Sequence, residues 1–371
     1  MKKKRVSILI LVVFSIGFCI VFYKENSMSY QYPDENVRHE GTWLTWPHSH
    51  TYGKTYAEEI EPIWIQMAAT LSQDESVHIV AYDENLKQHI EDTLENNNSN
   101  MDQIDFVIAP SDDVWIRDTG PIFVKDEKGQ LAIMNFFFDG WGKKMPYTKD
   151  NLILQAVSKQ KKFPIIDASN LVMEGGSMEI SAEGTLMATK SSVVSNNRNA
   201  SLTQTQVEDL LKKYLGVKRF IWLDGVLDED ITDAHIDGFA RFLDKDTILT
   251  VPEDDFYDLF EGISEKDYDL LHSATNANGN LYRIIAIPLT KNNVRGLDYK
   301  GSYLNYYVGN QSVLLPVYED PNDEVAVHIM KELFPEKTIV PIDMRALYKN
   351  GGNDSLCYTT TAVGLKSDDL F

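Results

Sequence analysis

Residues 205–223 read TQVEDLLKKYLGVKRFIWL, a helix pattern running straight into a strand pattern. Thr205 and Glu208 form a capping-box spacing, and Val207, Leu210 and Leu211 recur at helical steps, which predicts a helix over Gln206–Leu215. Arg219–Leu223 follows with the aromatic and β-branched content of a strand. Outward from this unit the alternation continues. Strands are predicted at Val77–Tyr82, Ile104–Pro110, Leu131–Phe138, Thr247–Val251, Tyr282–Pro288, Ser312–Val317 and Thr338–Pro341. Helices are predicted at Ala57–Ser72, Leu86–Leu94, Leu152–Lys159, Glu265–Ala274 and Glu324–Leu333. Repeated strand–helix alternation means α/β layering. No Pro-, Ser- or Gly-rich stretch divides the chain after residue 41, so 41–371 reads as a single domain. A domain of about 330 residues exceeds the usual single core, which points to an internally repeated architecture.

The 371 residues include 35 Lys+Arg and 56 Asp+Glu, a formal net charge of −21. That balance argues against a nucleic-acid partner, which needs a basic face, and suits a cationic ligand. The N-terminus is different. Lys2, Lys3, Lys4 and Arg5 precede Val6–Tyr23, 18 residues without a charge, and Lys24 follows. Residues 1–24 therefore read as an N-terminal signal-anchor or transmembrane segment, with a cleaved signal peptide as the alternative. Either way the basic cluster stays inside and the domain is expected outside the cytoplasm, membrane-anchored or secreted. Residues 25–40 are polar and read as a linker. Of the two cysteines, Cys19 lies in the apolar segment, so the domain carries Cys357 alone and has no internal disulfide.

Four polar clusters carry the candidate chemistry. Trp115-Ile116-Arg117-Asp118-Thr119-Gly120-Pro121 places Asp118 at a turn or strand end. Glu174-Gly175-Gly176-Ser177 puts a carboxylate directly after apolar Leu171-Val172-Met173, and a hairpin turn follows at Ser181–Thr185. In Asp233-Ala234-His235-Ile236-Asp237, His235 and Asp237 share a face if the segment is a strand. Gly351–Cys357 delivers a cysteine after a glycine-rich turn. Taken singly, each has a bland explanation: a surface ion pair, a solvated hairpin glutamate, a satisfied histidine, a buried thiol. Together they supply a nucleophile, a base and three carboxylates. A Cys–His pair suits attack on an sp² carbon, and paired carboxylates suit a planar guanidinium. There is no Walker loop, no dinucleotide fingerprint and no Cys/His zinc cluster, so neither cofactor nor metal is expected.

The chain resembles the agmatine deiminase family, which includes the bacterial-type peptidylarginine deiminases. The resemblance runs from about Glu40 to Thr360. It rests on His39–Pro47, Asp112–Pro121, Phe138-Asp139-Gly140-Trp141-Gly142, Glu174–Ser177, Asp230–Asp237 and Ser302-Tyr303-Leu304-Asn305-Tyr306-Tyr307. It implies the pentein fold, a pseudo-fivefold α/β propeller. It also implies Cys357 as nucleophile, His235 as general acid/base, Glu174 orienting the histidine, and Asp118 and Asp237 holding the guanidinium. Trp115 and Asn305 would line the substrate site. One segment departs from the family pattern: Asn353-Asp354-Ser355-Leu356 stands where the family has Gly-Asn-Ile-His before the cysteine. A carboxylate three residues from Cys357 raises a thiol pKa by like-charge proximity.

The implied activity is hydrolytic deimination of agmatine to N-carbamoylputrescine and ammonia through a covalent thiouronium on Cys357. Two alternatives stand beside it: a peptidylarginine deiminase acting on extracellular peptides or proteins, and a surface agmatine- or polyamine-binding protein without turnover. A small cationic guanidino compound is the expected partner. Self-association into a homo-oligomer is left open.

Overall fold

The computed structural model describes residues 29–351 and 358–362. Val6–Tyr23 and Cys357 lie outside the described residues. The first sheet contains β1 (His39–Thr45), β2 (Ser76–Ala81) and β3 (Ile104–Ile108). The second contains β4 (Ile122–Lys125), β5 (Leu131–Phe137) and β6 (Ile165–Val172), and the third β7 (Glu179–Ile180), β8 (Thr185–Thr189) and β9 (Arg219–Leu223). The fourth contains β10 (Ala240–Asp244), β11 (Thr247–Thr250) and β12 (Arg283–Ala286), and the fifth β13 (Tyr307–Val308), β14 (Ser312–Val317) and β15 (Thr338–Asp343). The last strand, β16 (Tyr358–Ala362), returns to the first sheet and pairs antiparallel with β1.

All five sheets follow one plan. A leading strand runs antiparallel to a second, and the second runs parallel to a third. A parallel pair needs a crossover, and a helix supplies it each time: Lys54–Leu71, Ile153–Lys161, Gln204–Leu215, Glu265–His272 and Asn322–Leu333; the first sheet adds a further parallel pair, β2 with β3, across the helix Glu84–Glu95. In the first sheet the leading strand is β16. This is the pseudo-fivefold α/β arrangement that the resemblance implied. The crossover helices bury one stripe each; Tyr56, Ile60, Ile63, Trp64, Met67, Ala68 and Leu71 form that of Lys54–Leu71.

The residues named as candidates sit immediately ahead of the leading strands. Asp118 lies in the short helix Ile116–Thr119 before β4, Glu174 before β7, His235 and Asp237 before β10, and Asn305 before β13. By sequence, Cys357 precedes β16 by one residue.

Three expectations are corrected. The linker 25–40 is packed from Tyr30 onward: Tyr30 is in a core cluster, Gln31 and Lys125 exchange backbone hydrogen bonds of 2.9 Å, and Tyr32 N–H donates to the Leu215 carbonyl. His235 and Asp237 do not lie on a strand; Asp237 sits in a single 3₁₀ turn, Ile236–Gly238, with His235 capping it. The helix cap is Thr203, not Thr205, and its reciprocal partner is Gln206. The reason is apolar. Starting at Thr203 places Leu202 just outside the helix and Val207 at its fourth position, both in one core cluster, a hydrophobic staple that a start at Thr205 lacks. Thr203→Ala is expected to destabilise the protein by about 1 kcal/mol, and Thr205→Ala by less than about 0.5 kcal/mol, in chemical denaturation.

Candidate active site

Asp118 is buried at 4% exposure, Glu174 at 0%, and His235 and Asp237 at 1% each. Carboxylates in such surroundings need partners, and the loops provide them. Gly176 N–H donates to Asp118 Oδ1 (2.8 Å) and Trp141 Nε1–H donates to Asp118 Oδ2 (2.9 Å). The Arg198 guanidinium, itself buried, donates through Nε to Glu174 Oε1 (2.7 Å) and through a terminal nitrogen to Asp233 Oδ2 (3.0 Å). His235 Nε2 is 3.4 Å from Glu174 Oε2, and His235 Nδ1 is 3.9 Å from Asp118 Oδ2. Both Asp237 oxygens are buried without a hydrogen bond from the described residues.

The glycines set the spacing. A Cβ on Gly176 would come within 2.6 Å of His235 Nδ1, 2.9 Å of Asp237 Oδ2 and 3.0 Å of Asp118 Oδ1. These three polar atoms therefore converge on one point, reached by backbone alone. A Cβ on Gly175 would collide with the Arg117 carbonyl oxygen. Ahead of His235, Asp233 and Ala234 both adopt left-handed backbone, at φ 62° and 63°. That conformation strains residues with a Cβ and persists only when surroundings hold it. Here Asp233 accepts from Lys144 (2.7 Å), Arg198 and the Asp228 N–H (2.8 Å), while Thr189 Oγ1–H donates to the Ala234 carbonyl (2.8 Å).

The electrostatics follow from the crowding. Burial alone would lower the His235 pKa, but Asp118, Glu174 and Asp237 outweigh it and raise it to about 9, so the ring is an imidazolium at neutral pH. Burial would raise Glu174, yet Arg198 and His235 hold it below the ordinary carboxylate range. Burial pushes Asp237 up to about 6, against the pull of His235 and Arg117.

The structure thus brings together Asp118, Glu174, His235 and Asp237. Trp115 is buried at the cap of the helix that carries Asp118. Asn305 is buried too, with Oδ1 making no hydrogen bond among the described residues. The bland explanation of Arg117 and Asp118 as a surface pair fails, since both are buried and Arg117 pairs elsewhere. Sequence reasoning missed Arg198, which lies in a polar run without periodicity. Its one signal was Glu174 itself, a carboxylate after an apolar run that required a cation. It also gave Trp141 no role. Trp141 and Gly142 adopt left-handed backbone, which turns the indole toward Asp118 and leaves room for Arg198 against Gly142. Among the described residues no group of acids, histidines or cysteines is arranged to hold a metal ion. Gly176→Ala is expected to lower kcat on the order of a hundredfold, because misplacement of about 1 Å at reacting groups has that effect. Steady-state assay beside a thermal melt checks this.

A family model described as Porphyromonas-type peptidyl-arginine deiminase matches residues 31–361. The chain is 31% identical over 350 residues to a Latilactobacillus sakei protein provisionally named agmatine deiminase, covering 87% of this chain and 93% of that one. A Porphyromonas gingivalis structure, provisionally named arginine deiminase, superposes with a TM-score of 0.80 at 30% identity and covers 91% of this chain and 99% of its own. A cysteine-to-serine form of C. jejuni agmatine deiminase with substrate bound superposes with a TM-score of 0.78 at 26% identity, covering 91% and 97%. With its five-unit fold and a match over nearly the whole described length, the chain belongs to the Porphyromonas-type peptidyl-arginine deiminase family.

Proposed function

We propose that the protein is a hydrolase of carbon–nitrogen bonds that converts agmatine to N-carbamoylputrescine and ammonia. The observation that carries this reading is Asp237. Its carboxylate is 1% exposed, makes no hydrogen bond to a described residue, and converges with Asp118 and His235 on one point. A buried carboxylate in that condition suits a cationic ligand with several N–H donors, and a guanidinium has five. The site lies below the surface, so a slender guanidino compound is favoured over a bulky one. The similarity to agmatine deiminases supports the same choice.

Asp118 and Asp237 orient the guanidinium. The Cys357 thiolate attacks its central carbon, and the C=N electron pair moves to nitrogen. The His235 imidazolium protonates one nitrogen, the C–N bond breaks, and ammonia leaves. The thiouronium remaining on Cys357 takes up water, deprotonated by neutral His235, and the C–S bond breaks to release the ureido product and the thiolate. Glu174 and Arg198 keep the imidazole aligned through both steps. The assignment of Cys357 is supported by its position one residue before β16, a strand that packs against β4 and the helix bearing Asp118.

A peptidyl-arginine substrate is the second reading, favoured by the description of the family model. We also propose that Val6–Tyr23 anchors the domain outside the cytoplasm. The support is the sequence: an uncharged 18-residue run behind a basic cluster. Among the described residues no helix is long and apolar enough to cross a membrane.

Ammonia release from agmatine, free arginine and an arginine peptide, each offered separately, tests the function. Agmatine is expected to turn over, and Cys357→Ser to abolish turnover while retaining binding. Turnover of the peptide alone would overturn the first reading in favour of the second. The kcat/KM profile should be bell-shaped. It falls below about pH 6 as Asp237 protonates and loses the guanidinium, and above about pH 9 as His235 loses the proton it must donate. For location, the full chain should sediment with membranes and be cleaved by protease added to intact cells. Recovery in the soluble, protected fraction would refute the anchor.

A further inference from the structure

Behind the site lies a second buried set of charges that the mechanism does not use. Arg117, next to Asp118 in sequence, pairs with other acids. One terminal nitrogen is 2.7 Å from Glu35 Oε1, the other 3.5 Å from Glu179 Oε1. Arg241, four residues after Asp237, reaches Glu179 Oε1 through Nε (2.6 Å) and Glu35 Oε2 through a terminal nitrogen (3.6 Å). It also donates to the carbonyls of Leu304 (3.2 Å) and Tyr306 (3.1 Å), which flank Asn305, and stacks 5.0 Å over the Tyr306 ring. Glu179 Oε2 accepts the Phe242 N–H (3.3 Å), and Tyr32 O–H donates to Glu35. Arg117, Arg241 and Glu179 are buried; the Glu35 side chain is 21% exposed.

The chemical hazard is plain. The site is built to bind a guanidinium, and the protein places two of its own guanidiniums one layer behind the binding carboxylates. Both act electrostatically on Asp237, as do His235, Asp118 and Glu179. Two acids answer the arginines. Glu35 lies 2.7 Å from Arg117 and 3.6 Å from Arg241, and Glu179 lies 2.6 Å from Arg241 and 3.5 Å from Arg117. Glu35 is the one carried by the N-terminal arm ahead of β1, and there Arg117 and Arg241 overcome burial and hold the carboxyl below the ordinary range.

We propose that Glu35 is a positioning residue for the substrate site: it sequesters Arg117 and Arg241, and so keeps Asp118 and Asp237 free for the substrate guanidinium. The proposal rests on the deiminase reading above. Agmatine binding to the full chain, measured by calorimetry against pH in a Cys357→Ser background, tests it. Glu35→Gln is expected to raise the Kd on the order of tenfold, the size of coupling passed through a neighbouring layer. It should also move the acid limb of binding to lower pH, because unanswered positive charge stabilises the Asp237 carboxylate. Glu35→Asp, which withdraws the charge by one methylene, should fall between wild type and Glu35→Gln and remains readable if the latter does not fold. An unchanged Kd, or a weakened Kd with the acid limb unmoved, would overturn the proposal, the second outcome marking a merely structural role. Failure of the chain with Glu35 intact to bind agmatine at any pH would overturn the deiminase reading, and this proposal with it.

Discussion

Holding negative charge away from water is the constraint on which this structure turns. Glu174 has no exposure, and Asp118 and Asp237 have almost none. A buried carboxylate without partners neutralises itself by taking a proton or destabilises the fold. Each of the three meets the problem differently. Glu174 is answered by Arg198, which in turn is oriented by Asp233. Asp118 is answered by neutral donors, a backbone N–H and an indole N–H. Asp237 has no hydrogen bond among the described residues, and burial raises its pKa. The differences set Glu174, tied to a cation of the protein's own, apart from Asp118 and Asp237, which are not paired with one.

The fold makes such crowding attainable. Units of one design bring the segments before β4, β7 and β10 together, so residues far apart in sequence meet without long loops. Where regular backbone cannot turn tightly enough, the chain uses left-handed residues: Asp233 and Ala234 before His235, and Trp141 and Gly142 where Arg198 packs against Gly142. Gly176 lets the backbone itself enter the cluster, where any side chain would displace His235 or Asp237.

Much of this was legible in the sequence, and the rest was hidden for identifiable reasons. The crossover helices and the strands that flank them, such as Arg219–Leu223 and Ser312–Val317, show clear periodicity and emerged close to their true bounds. The leading strands did not, because β7 and β13 have two residues each, too few to display alternation. The four polar clusters were visible as chemistry out of place, Glu174 after an apolar run above all. Their environment was not. Whether His235 and Asp237 lie on a strand or in a 3₁₀ turn depends on left-handed backbone at Asp233 and Ala234, which neither residue type advertises. Arg198, Arg241 and Glu35 look like surface charges, since only tertiary contact reveals which charged side chains are buried. A polar N-terminal segment likewise reads as a linker until Glu35 is seen among arginines.

The closure of the ring by its two ends carries a consequence for the life of the molecule. Leu44 in β1 pairs with Tyr358 in β16, so the first sheet lacks its leading strand until more than three hundred further residues have been made. Four units have their strands in sequence order and can form as they emerge from the ribosome, but the first must wait. Such long-range pairing is slow, because loop-closure entropy precedes any reward from contact. The residue assigned as nucleophile adjoins that last strand. A chain cut short before β16 would lose Cys357 together with the strand that closes the ring.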